Sequence, residues 1–232
     1  MAVPNYNVHN FRSQAVLYAS QMNAIDQQVK ELTDAVQRLQ YEPITIVASV
    51  SPRTALKGAT VNSLQFTIIT SRPPVTVSID GIQQQIRPNQ TMFTINIAGS
   101  YTESKTFGIS AVDENDHVVT AAGVSLQFYN NIYYGVAENP ENITSEFITG
   151  LSSSELSGKK ERIITVEADD NDYIWYAVPD SLGECTFSVN GFAGGFDDIG
   201  TFTVANSNNY EETYHLYRST NPGLGETKVI VT

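Results

Sequence analysis

The chain has 232 residues and a formal net charge of −12 at pH 7, with 41% hydrophobic and only 16% charged residues. So acidic a surface repels phosphate backbones, and the 13 lysines and arginines stand singly rather than in a patch, which argues against nucleic-acid binding. Abundant Asn, Gln, Ser and Thr beside β-branched and aromatic residues indicate a mainly β chain, and its length allows two small domains, each with its own core. Cys185 is the single cysteine, so no intrachain disulfide forms and stability comes from burial or association. No apolar run reaches the length of a signal-peptide core or a membrane span, and the expectation is a protein made in a cytoplasm with no membrane insertion.

Residues 1–14 hold isolated apolar side chains, Val3, Tyr6, Val8 and Phe11, with Pro4 among them and no period. They read as an extended anchoring arm that becomes ordered on a host surface. From Ala15 the apolar positions alternate at spacings of three and four: Tyr18, Met22, Ile25, Val29, Leu32, Val36 and Leu39. That is a heptad seam with polar residues on the other positions, and 15–41 is expected to form a coiled-coil helix between copies. A helix laid on its own β-domain is the competing reading, but such helices carry a wider apolar stripe. The seam specifies association rather than copy number: Val at two a positions with Leu at two d positions leans toward two strands, whereas Met22 and Ile25 do not discriminate. Pro43 excludes helix continuation.

Beyond Pro43 the apolar pattern changes to alternation and β-branched runs, at 44–50, 63–70, 75–79, 92–97, 105–112 and 118–129, separated by turn clusters. Asp80-Gly81 is the strongest hairpin turn, since glycine takes the positive φ the turn requires. Six or seven short strands predict an immunoglobulin-like β-sandwich over 42–135. A second β-domain is expected over 136–232, with a short helix at 144–151 and strands at 162–168, 173–179, 186–190, 201–206, 213–220 and 227–232.

The run YIWYAVP at 173–179 places Tyr173 and Trp175 on one face of a strand and Ile174 and Tyr176 on the other. A strand apolar on both faces is covered on both. Packing is the favoured reading, with one face covered by the sandwich and the other by a neighbouring copy. The alternative is a sugar platform built from Tyr173, Trp175 and Tyr176. The GFAGGF turn that follows lacks the Lys-Ser or Lys-Thr of a phosphate loop. Its glycines are expected to let two backbones come close, with Phe192 and Phe196 covering the approach.

No pattern of catalytic residues emerges. His9, His117 and His215 lie far apart, no Cys or His spacing resembles a zinc site, and no nucleophile elbow or dinucleotide fingerprint is present. The acidic turns at 113–117, 168–172 and 196–200 do not match a calcium loop, and Asp and Asn in such turns ordinarily cap the turn backbone. Neither cofactor, metal nor enzymatic activity is expected. Asn142-Ile143-Thr144 matches a glycosylation acceptor, which has meaning only on a secretory route.

The elements YYGVA (133–137), YIWYAVPDSLGECTFSVNGFAGGF (173–196) and YHLYRSTNPGLGETKVIV (214–231), joined to a β-sandwich and an N-terminal coiled coil, resemble small fibre and appendage proteins of tailed bacteriophages. The resemblance covers roughly 60–232 and is a pattern of strands and turns rather than a catalytic signature. It implies a homotrimer on the virion, assembled in the host cytoplasm. Val3, Pro4, Tyr6, Val8 and Phe11 would then anchor it to a capsid or other virion protein, and the C-terminal β-domains would face outward, toward a host glycan in an adhesive role. A head fibre is preferred over a tail fibre or receptor-binding appendage because the chain lacks a long shaft; an adhesin not borne on a virion is the further alternative.

Overall fold

The structure, a computed structural model, describes residues 19–39 and 41–232. The anchoring residues Val3, Pro4, Tyr6, Val8 and Phe11, and Tyr18 of the seam, lie outside the described residues, as does the side chain of Leu39. The chain divides after Pro43 into a helical unit and a β unit, Ile44–Thr232.

In the first unit, α1 spans Ala19–Leu39. No β-branched run or proline interrupts it, and Tyr41, Glu42 and Pro43 are already non-helical. Its apolar positions Met22, Ile25, Val29, Leu32 and Val36 remain between 48% and 56% exposed in the single chain. Among the described residues no helix is long and apolar enough to cross a membrane.

The second unit is mainly β, built from several sheets. Its first strands are β1 (Ile46–Ser51), β2 (Thr54–Leu56), β3 (Val61–Thr70), β4 (Thr76–Ile79), β5 (Ile82–Gln83), β6 (Met92–Tyr101), β7 (Lys105–Thr106), β8 (Ile109–Val112) and β9 (Val118–Ala121). Seven of them form one sheet in the order β1-β3-β6 and another in the order β5-β4-β8-β9. The alternation in VNSLQFTIIT turns Leu64, Phe66 and Ile68 inward, where they meet Val77, Ile79 and Ile109 of the other sheet in one buried cluster. Asp80 and Gly81, at φ 51° and 77°, make the two-residue turn between β4 and β5, as the sequence predicts.

The 13-residue β10 (Ser125–Ala137) then joins the two halves. The boundary expected at 135/136 falls inside this strand. Its front half pairs with β2 and β7 and sends Leu126 and Phe128 into the first core, while its back half sends Ile132 and Tyr133 into two further cores. Ala122–Val124, with Gly123 at φ 72°, lie outside any strand and split the run expected at 118–129, so β9 ends at Ala121.

After β10 come α2 (Ser145–Thr149), β11 (Ser153–Ser157), β12 (Arg162–Ala168), β13 (Tyr173–Pro179), β14 (Phe187–Val189), β15 (Phe192–Ala193), β16 (Phe196–Ala205), β17 (Glu211–Ser219) and β18 (Gly225–Val231). Thr144 starts α2 as expected, its Oγ1 accepting the Phe147 N–H at 3.2 Å. A central sheet runs β11-β10-β13-β17-β16, and a smaller one runs β12-β18-β14-β15. One face of the central sheet packs Ile174, Tyr176 and Val178 against Phe187, Val229 and Val231 of the smaller sheet. The opposite face packs Trp175, Ala177 and Leu216 against Ile148 and Leu151 in and beside α2.

Candidate functional site

Strand β13 sits in the middle of the central sheet, paired with β10 on one side and β17 on the other, which places YIWYAVP between two apolar layers. Trp175 and Tyr176 are fully buried. The Trp175 indole Nε1–H donates to the Ala137 carbonyl at 3.1 Å, and its ring meets Phe147 edge-on at 5.0 Å. The Tyr176 hydroxyl donates to the Lys160 carbonyl at 2.6 Å, and burial pushes that phenol well above its ordinary pKa. Tyr173 is half-buried, and the Arg218 guanidinium lies 4.6 Å from its ring centroid and 5.8 Å from that of Trp175. Arg218 is in turn held by Asn139 Oδ1 at 2.8 Å.

This geometry corrects two expectations. A sugar platform needs an open ring face, but Trp175 and Tyr176 have none and a face of Tyr173 is taken by Arg218. The second face of β13 is covered by α2 and its flanking residues of the same chain, not by a neighbouring copy. Sequence reasoning missed this because α2 is a single short turn whose docking partner lies far away in the chain.

The GFAGGF segment is also resolved differently. Asn190 and Gly191, at φ 48° and 90°, form the turn of the β14–β15 hairpin. A Cβ on Gly191 or Gly194 would meet nothing within 4 Å, so turn conformation rather than close approach requires them; only at Gly195 does a neighbour, Val189 Cγ2, come within 2.9 Å. Phe196 stacks on Phe187 with centroids 4.2 Å apart, whereas Phe192 is 79% exposed and covers nothing.

Several titratable groups close turns or pair with neighbouring side chains. Asp113 Oδ1 accepts the N–H groups of Asn115 and His117 at 2.9 and 3.0 Å, closing its own turn. Glu138 and Asp169, Asp170 and Asp172 rim an open concavity of about 430 Å³. No group of three or more His, Cys, Asp or Glu suited to hold a metal occurs among the described residues. His215 Nδ1 lies 3.6 Å from Asp180 Oδ1 and 3.4 Å from the Tyr217 hydroxyl, which accepts the backbone N–H of Cys185 at 3.0 Å. Burial pushes the Cys185 thiol up to about 11, which leaves it protonated and a poor nucleophile at neutral pH.

Two features had no clear signal in the sequence. The first joins the two halves of the β unit: Glu212 Oε2 receives Lys57 Nζ at 2.9 Å and Asn130 Nδ2 at 2.8 Å, while Asn206 Nδ2 donates to the Lys57 carbonyl at 2.8 Å. Burial draws the Lys57 pKa down, but the hydrogen bond and charge of Glu212 outweigh it and hold the ammonium above its ordinary value. The second is an exposed apolar row across the β1-β3-β6 sheet, where Val47 stands opposite Ile69 and Ile69 opposite Met92. The alternation that marks these strands could have revealed each residue, but only the register brings them side by side.

Both the α1 stripe and this row are thus apolar and exposed in the single chain. No family model, curated protein or solved structure matches the chain.

Proposed function

We propose that this chain is a structural fibre subunit of a tailed-bacteriophage virion, a homotrimer on the head, bundled through the coiled coil of 15–41 and held by the arm of 1–14. The β portion is displayed outward, an immunoglobulin-like sandwich over 42–135 followed by a β-domain of sandwich or jelly-roll type. The observation that carries the self-association is the α1 stripe. Met22, Ile25, Val29, Leu32 and Val36 lie on one narrow face at heptad spacing and are about half exposed in one copy. Sister helices cover such a face by inserting each side chain between four residues of the partner. Two sheets meeting in one buried cluster support the sandwich, and the likeness of 133–137, 173–196 and 214–231 to phage fibres supports the virion location and the three copies. Any adhesion to a host glycan falls to a surface other than Trp175 and Tyr176.

The test pairs a variant with an image. Ile25→Asp with Val29→Asp places two unpaired charges in the seam, at a cost of several kcal/mol per chain, and converts the assembly to single chains. Electron microscopy of intact particles carrying a labelled copy then shows the label over the head. Label at the tail, or its absence from particles, overturns the head-fibre reading, and a doubly charged variant that still assembles overturns the seam.

A further inference from the structure

We infer that the outer face of the β1-β3-β6 sheet, centred on Val47, Ile69 and Met92, packs against a second copy of this chain; the inference rests on the self-association through α1 proposed above. The three side chains are 69%, 47% and 58% exposed and lie directly opposite one another across adjacent strands, so they form one continuous apolar row. The next row toward the far end of the sheet is Ser49, Thr67 and Thr94, and none of the residues of β1, β3 and β6 is charged. In a chain of net charge −12, repulsion between side-by-side copies is weakest over such uncharged surface. β6 is also an edge of its sheet, and its ten residues include neither lysine nor proline, the residues that commonly keep an open edge from pairing. The other sheet of this half is equally free of charge, but its exposed Ile82 and Val118 stand on opposite edge strands, β5 and β9, and make no row.

Area and tethering identify the occupant as a second copy. A fully exposed aliphatic side chain presents on the order of 100 Å² of apolar surface, so the described stripe of α1 offers about 250 Å² and the row about 170 Å². A stable interface takes about 800 Å² from each partner, about 60% of it apolar, so the stripe alone supplies roughly half of that need and stripe plus row most of it. Only residues 40–43 separate the end of α1 from the β unit. Once the helices associate, that short tether holds the β units of different copies at an effective concentration of about millimolar, and a row too small to associate by itself becomes buried.

The test uses the full chain with one exposed cysteine introduced at a time. Ile69→Cys and Met92→Cys report the row, and Glu114→Cys reports an open turn where the side chain is 73% exposed; the native Cys185 is buried. Maleimide labelling rates are measured beside the solution mass. The inference predicts an oligomer in which both row cysteines react at least ~10-fold more slowly than Cys at 114, with the difference lost in the Ile25→Asp, Val29→Asp background. An oligomer whose row cysteines label as fast as the turn overturns the inference and leaves the helical association standing. A single-chain mass at all concentrations overturns both. Slow labelling that persists in the monomeric background overturns it in favour of cover by the chain's own N-terminal arm.

Discussion

Replacing Trp175 by Ala tests whether β13 is a structural spine or a binding surface. The indole is fully buried, so the substitution removes the largest side chain of its core and leaves a cavity beside Ile148 and Leu216. Trp-to-Ala changes in cores cost about 3–5 kcal/mol, and the Ala137 carbonyl, left without its donor, adds about 1 kcal/mol. A total of about 4–6 kcal/mol is a large part of the roughly 5–15 kcal/mol that holds a domain folded. Urea unfolding at fixed protein concentration, followed by far-ultraviolet circular dichroism, measures it, since association also contributes to apparent stability. The native protein supplies a second readout. Trp175 is the only tryptophan, and its emission is expected to be blue-shifted and shielded from acrylamide. A variant within about 0.5 kcal/mol of the native protein, or a freely quenched native indole, refutes the burial argument.

Glu212→Ala leaves the buried Asn130 amide and Lys57 without their acceptor and is expected to cost about 1–3 kcal/mol, read by the same unfolding assay. Because the Lys57 pKa is raised on folding, its contribution is fully present below the unfolded lysine value and is lost as pH rises through the folded one; the gap between native and Glu212→Ala stability therefore narrows above about pH 10.5. Asp80→Asn keeps the Asx-Gly turn but loses the 2.7 Å ion pair with Lys105, at a cost of at most about 1 kcal/mol near neutral pH. Burial raises the Asp80 pKa, yet Lys105 and the Gly108 N–H outweigh it and hold the carboxyl below its ordinary value; that contribution exists above the unfolded pKa and disappears as pH falls below about 4, where native and variant stabilities converge. Cys185, buried and with its thiol pushed up to about 11, is expected to resist thiol reagents at pH 7 to 8 until the chain unfolds.

Local signals carried much of the β architecture. The alternation of SLQFTIIT, the Asp80-Gly81 hairpin and the Thr144 cap each depend on neighbours within a few residues, and each appears where the pattern puts it, whereas the strand expected at 201–206 starts five residues earlier, at Phe196, so that 196–200, read as an acidic turn, is strand paired with β17. What escaped depends on pairing between distant segments. β10 reads as two pieces because its side chains serve different cores along its length, yet its backbone is one strand. The both-faces-apolar character of β13 was legible, but α2 as the cover of its Trp175 face was not, since five residues of helix carry little periodicity. Phe192 shows the converse: within the glycine-rich GFAGGF run it reads as packing, and the hairpin turns it into solvent.

The account depends on sister copies covering the α1 stripe. Sedimentation equilibrium of the intact 25.4 kDa chain at micromolar concentration measures this without a label or a partner. The prediction is three chain masses, falling to one when Ile25 and Val29 are both replaced by Asp. A single chain mass for the native protein across the concentration range contradicts it.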